Sequence, residues 1–149
     1  SSAGMAAAQF VPPGGADDLQ SILGAGNKAW MEAYTKGDID TLVRMHSEDS
    51  VILSPFGLRF DGVEGAREYY SLSYGFAPKD RVISIKHSSA RQYGDLIIQN
   101  VSWDFTAAKA DDTPFAISGR TSMVSMKTPE GWYIVDYHPA INPPPPEQN

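Results

Sequence analysis

The 149-residue chain has no cysteine and only three histidines, His46, His87 and His138. Without thiols it can form no disulfide, no thiolate nucleophile and no zinc–sulfur site. The absence fits either side of a membrane and leaves the compartment unread, with the cytoplasm slightly favoured. Apolar runs are short. None approaches the roughly 20 residues that a membrane-spanning helix needs. Basic clusters are missing too: 12 Lys and Arg face 18 Asp and Glu, for a net charge of -6. That balance speaks against nucleic acid or an anionic membrane as a partner. The three histidines fall on a turn, a strand and a strand end, so neither a metal nor a cofactor is expected.

What is present suits one domain: 42% hydrophobic and 20% charged residues, and a length able to bury a core unaided. Residues 1–16 are small, Pro- and Gly-rich and aperiodic, and read as a flexible lead-in. Residues 1–4, ahead of Met5, read as a tag remnant or as the start left after a signal peptide is removed. Asp17 and Asp18 open a helix whose apolar residues Leu19, Ile22, Leu23, Trp30, Met31 and Tyr34 recur at helical spacing, and Gly37 stops it. Asp38 caps a second helix, Ile39 to Met45. A turn over residues 46–50 leads into a hairpin of Val51–Leu53 and Leu58–Phe60, and residues 63–74 form a third helix. Four strands follow, over 81–92, 95–108, 115–127 and 132–138. The tail, 141–149, holds four consecutive prolines and reads as polyproline II outside the sheet. Helices first and strands last imply an α+β arrangement, in which a curved sheet wraps the helices around a pocket.

Several spacings together resemble one family. They are Trp30-x-x-x-Tyr34-x-x-Gly37-Asp38-x-Asp40-x-Leu42, Asp49-Ser-Val51, Pro55-x-Gly57, Gly62-x-x-x-Ala66-x-x-x-Tyr70, Gly119-Arg120 and Gly131-Trp132-x-Ile134-x-x-x-His138. Over residues 17–140 the chain resembles the NTF2-like superfamily, in its SnoaL-like, ketosteroid-isomerase-like and calcium/calmodulin kinase II association-domain-like branch. The resemblance implies a cone: three helices packed on a strongly curved antiparallel sheet. It does not imply a reaction, because this fold carries isomerases, dehydratases, cyclases and pure binding or assembly domains.

The family's chemistries can be tried residue by residue. The isomerases resembled here place a general-base carboxylate just before the Pro-x-Gly turn, where this chain has Ser54. Their oxyanion-donating tyrosine on the first helix corresponds to Trp30, and the dehydratases' aspartate to Thr35. No carboxylate stands at either acid position. Strand alternation puts Trp132, Ile134, Asp136 and His138 on one face, so Asp136 and His138 are i, i+2 neighbours that could act as an acid/base pair or a ligand anchor. The bland alternative is a strand-end histidine bonded to backbone and an aspartate in an ion pair. Tyr133, Val135 and Tyr137 take the other face, which looks apolar enough to seat a second copy in a homodimer. Arg120 reads either as an inward clamp for an anionic ligand or as a surface arginine in an ion pair. Trp30, Tyr34, Met45, Phe56, Tyr70, Tyr74 and Trp103 complete the candidate pocket wall. Arg81 and Arg91 fall on the opposite strand face from Lys86 and form no patch. The reading is a binding or assembly domain whose cone takes a small hydrophobic or anionic ligand. The alternative is a SnoaL-like or isomerase-like enzyme, acting on a small hydrophobic or polyketide-like molecule with His138 as acid/base.

Overall fold

The computed structural model describes residues 19–144 and 146. The lead-in, the acids Asp17 and Asp18, and the last residues of the proline tail lie outside them. Three helices, α1 (Leu19–Lys36), α2 (Ile39–Arg44) and α3 (Gly62–Phe76), pack on a sheet. Its strands are β1 (His46–Leu53), β2 (Arg59–Asp61), β3 (Lys79–Tyr93), β4 (Leu96–Ala108), β5 (Pro114–Thr128) and β6 (Gly131–Ile141). The strand order is β2-β1-β6-β5-β4-β3. β3 to β6 form the antiparallel meander, and β1 joins it by parallel pairing with β6.

Local chemistry accounts for the helix ends. Gly37 ends α1 at φ 69°, a conformation that favours glycine. The Tyr74 ring packs so closely there that any Cβ would overlap it. Asp38 then caps α2 by accepting the Thr41 N–H at 3.2 Å. One core cluster holds Leu23, Leu42, Val43, Met45, Ile52, Ala66, Tyr70, Ile97 and Ile134 beneath the helices. A smaller one, around Ala77, Phe105 and Ala107, sits under the end of α3.

Three local expectations change. Residues 46–50 belong to β1 rather than to a turn, because pairing with β6 (His46 opposite Ile134, Ile52 opposite Tyr137) outweighs their turn-forming composition. The last strand runs past His138 to Ile141, and the Asn142 N–H still donates to the Ser118 carbonyl at 2.9 Å. Pro139 is tolerated because the β1 pairing has ended by then, so its missing N–H leaves no β1 acceptor unserved.

The third change governs the site. Alternation along β6 is broken by a β-bulge at Val135, where Ser125 pairs Ile134 and Val124 pairs Asp136. One extra residue re-aims every side chain beyond it. Trp132 and Ile134 point into the core before the bulge, and Tyr137, Pro139 and Ile141 point inward after it. Asp136 and His138 therefore leave the face of Trp132, and Tyr137 leaves the outer face expected to seat a second copy.

Candidate functional site

A cavity of about 360 Å³ lies between the inner face of the sheet and the helices, at the small end of the range for ligand pockets. α1 contributes Asn27, Trp30 and Tyr34, spaced i, i+3, i+7 along one stripe. α3 contributes Tyr69, Leu72, Ser73 and Phe76 by the same periodicity. The sheet supplies the inward positions Ile83 and Ile85, Val101, Trp103 and Phe105, Phe115 and Ile117, Thr121 and Met123, and Tyr137. The β1–β2 loop closes one side with Ser54, Pro55, Phe56 and Leu58, and Phe56 is 77% exposed at the rim.

Among the described residues, no side chain of Asp, Glu, His, Lys or Arg lines this cavity. Its polar groups are neutral and mostly committed. The Trp103 indole donates to the Thr121 hydroxyl at 2.9 Å, and the Tyr34 and Ser73 hydroxyls are bonded at 3.1 Å. Ser54, at the position where the resembled isomerases keep a base, accepts the N–H groups of Phe56 at 3.3 Å and Leu58 at 3.2 Å. It shapes the loop, and as a hydroxyl it cannot serve unaided as a general base. Burial pushes the Tyr69 and Tyr137 phenols well above their ordinary range, so both stay protonated near neutral pH.

The expected site residues separate cleanly. Trp30, Tyr34, Phe56 and Trp103 line the cavity. Gly119 is what seats Trp103: the indole lies over it from the neighbouring strand, and a Cβ there would overlap the ring. Met45 and Tyr70 are fully buried core residues one layer behind the wall, and Tyr74 packs on Gly37 and Arg81 instead. Arg120 is exposed, on the face of β5 opposite the inward Gly119 and Thr121. His138 and Asp136 do meet, with Nε2 and Oδ1 3.0 Å apart, but both are more than 40% exposed and neither lines the cavity. His138 lies across from Ser122 on the outer face, so the acid/base pair expected of it does not face this cavity.

Two buried groups escaped the sequence reading. His46 is 3% exposed. Its Nδ1 is 3.0 Å from the Ser50 hydroxyl and its Nε2 2.7 Å from the Tyr70 hydroxyl, which in turn is 3.4 Å from the Trp30 indole nitrogen. An indole N–H can only donate. Tyr70 therefore accepts from Trp30, and the arrangement that leaves no proton of the chain unpaired has Tyr70 donating to Nε2 and His46 Nδ1–H donating to Ser50. Burial lowers the His46 pKa to about 3, consistent with this neutral tautomer. The chain of bonds fixes the Trp30 ring from behind the cavity. The second group is Arg81, 5% exposed. Its Nε donates to the Tyr34 carbonyl at 3.1 Å and its Nη1 to the Ala77 carbonyl at 2.8 Å. The guanidinium also stacks on Tyr34, Tyr74 and Phe105, 4.5–5.2 Å from their ring centres. It clamps the C-terminal ends of α1 and α3, where a cation is favoured. Nothing in the strand pattern could separate this arginine from an ordinary surface one.

With cone, curved sheet and apolar cavity in view, the chain matches the SnoaL-like domain family over residues 24–141. The protein belongs to that family and has the NTF2-like fold. Solved structures with the same fold include an NTF2-like superfamily protein from Salmonella enterica serovar Typhimurium, at 22% identity and TM-score 0.72, covering 79% of this chain and 87% of that one. A protein from Xanthomonas campestris, described as a candidate calcium/calmodulin dependent protein kinase II association domain, aligns at 18% identity and TM-score 0.74, covering 85% and 90%. A ketosteroid isomerase-like protein from Erwinia carotovora atroseptica aligns at 17% identity and TM-score 0.73, covering 87% and 100%. No curated protein matches the chain. Among the described residues no helix is long and apolar enough to cross a membrane, and no three His, Asp or Glu side chains converge.

Proposed function

We propose that this domain receives a small, neutral, largely apolar molecule in its cone and acts by binding it. The observation that carries this reading is the wall: aromatic and aliphatic, with neutral hydrogen-bonding groups and, among the described residues, no Asp, Glu, His, Lys or Arg, while burial raises the Tyr69 and Tyr137 phenols. Burying a charge in such a wall without a partner costs several kcal/mol or more, so a neutral ligand is favoured over an anionic one. Isomerase chemistry of the kind suggested by the Erwinia protein needs a carboxylate base, where this chain has Ser54, and the dehydratases' aspartate position holds Thr35. An acid/base role for His138 lacks support, since the bulge at Val135 turns it to the outer face.

The neutral fluorophore N-phenyl-1-naphthylamine tests the reading. It is expected to bind with micromolar affinity and enhanced emission, and Ile117→Trp, which fills the cavity, is expected to weaken binding at least tenfold while the protein stays folded. Binding that is absent, or that ignores Ile117→Trp, would count against the proposal.

Assembly is part of the same reading. The outer face carries Ile98, Val124, Met126, Tyr133 and Val135 half-buried around a polar row, an arrangement suited to seating a second copy. Sedimentation at micromolar concentration is expected to give twice the chain mass, and Val124→Lys to give the monomer. A wild-type monomer would sink this part.

A further inference from the structure

The apolar wall has one amide end. Asn27 lines the cavity on α1, and its Oδ1 accepts from Gln99 Nε2 at 2.9 Å. Gln99, on the inward face of β4, is 1% exposed, and its Nε2 also donates to the Ser88 hydroxyl at 3.3 Å. Two polar groups are left over from this arrangement. Gln99 Oε1 is fully buried without a hydrogen-bond partner, and among the described residues Asn27 Nδ2 has no protein partner. Of the two, only Gln99 Oε1 is a buried atom left unpaired, which is rare; Asn27 is half-buried and its Nδ2 remains accessible.

The side-chain amides of Asn27 and Gln99 can be turned jointly, with oxygen and nitrogen exchanged in each. One bond still joins the pair, and Asn27 still keeps one polar atom free at the cavity wall. In one arrangement that atom is a donor and in the other an acceptor. A hydroxyl serves both, because it donates and accepts at once.

Resting on the reading of the cone as a ligand cavity, we infer that Asn27 is a specificity-determining contact for a hydroxyl group on an otherwise apolar ligand. Gln99 is its positioning residue: it holds one edge of the Asn27 amide so that the other faces the ligand. The ligand class is thereby narrowed to neutral alcohols or phenols with an apolar body.

The test uses 2-naphthol and 2-methylnaphthalene, which differ by hydroxyl against methyl, titrated calorimetrically near neutral pH where a phenol is protonated. The readout is the ratio of their affinities, which a loss of packing alone would not move. Asn27→Leu is expected to shift that ratio about tenfold against 2-naphthol, in line with the rejection of a polar group left unpaired. Gln99→Met is expected to shift it the same way, and Asn27→Ser, which retains a hydroxyl, to shift it less. Should Gln99→Met fail to fold, Asn27→Leu decides alone, since Asn27 is only half-buried. If both probes bind the wild type and Asn27→Leu leaves the ratio within twofold, the hydroxyl subsite is wrong and the apolar cavity stands. If neither probe binds the wild type, the cavity reading fails and the subsite with it.

Discussion

Arg81→Ala is expected to destabilise the domain by about 3–4 kcal/mol, lowering the melting temperature by roughly 10 °C. The substitution strands the Ala77 carbonyl, leaves the Tyr34 carbonyl with the Gly37 N–H alone at 3.3 Å, and opens a void among three aromatic rings. The unsatisfied Ala77 acceptor costs about 1–3 kcal/mol, and the lost bond to Tyr34 and the void add to it. Arg81→Lys keeps the charge but not the fork that reaches both carbonyls, so about half the loss should remain. Urea unfolding of the three proteins distinguishes the cases. Equal stabilities would mean that the clamp on α1 and α3 contributes nothing.

His46 should dominate the acid response. In the folded protein its pKa is lowered to about 3, against 6.5 for a free imidazole. The unfolded chain therefore binds a proton below pH 6.5 that the folded protein refuses. Stability from this group is complete above 6.5 and falls as the pH drops toward 3. At about 1.4 kcal/mol per pH unit the loss reaches roughly 3 kcal/mol near pH 4 and about 5 kcal/mol in all. His46→Gln removes the titration. It also loosens Tyr70 and Ser50, so its stability starts lower, but its curve should be flatter between pH 6.5 and 4. Asp38, Asp104 and Asp111 are held below the usual carboxylate range by hydrogen bonds from Thr41, from Ser118 and Lys86, and from Thr113. They add acid sensitivity of the same sign to both proteins. Denaturant midpoints across this range are the measurement, and parallel curves would contradict the assignment.

The layout was readable because it rests on local signals. Gly37 and Asp38 mark a helix end and a cap, Gly62 ends the hairpin, and the long alternating runs give the meander. Trp30, Tyr34, Phe56 and Trp103 were identifiable as wall residues because in a cone the inner surface of helix and sheet is the cavity. The orientation of β6 could not be read. A bulge is set by how β5 and β1 pair with it, and one extra residue at Val135 exchanges the roles of Tyr137 and His138. His46 looked like part of a turn because Ser47, Glu48, Asp49 and Ser50 follow it. Its burial depends on Tyr70, 24 residues away, accepting the role of its partner. Arg81 was invisible for the same reason: its acceptors are helix-end carbonyls, which carry no sequence identity.

The central claim is that the cone is a neutral receptacle whose nearest buried cation, Arg81, stacks on wall residues without reaching the cavity. The most direct measurement compares N-phenyl-1-naphthylamine with its sulfonated counterpart, 1-anilinonaphthalene-8-sulfonate, on the wild type and on Ile117→Trp. The neutral probe is expected to bind at least tenfold more tightly, about 1.4 kcal/mol, with the difference abolished by Ile117→Trp. Equal or tighter binding of the sulfonate, sensitive to Ile117→Trp, would contradict the claim by showing that a positive charge reaches the cavity.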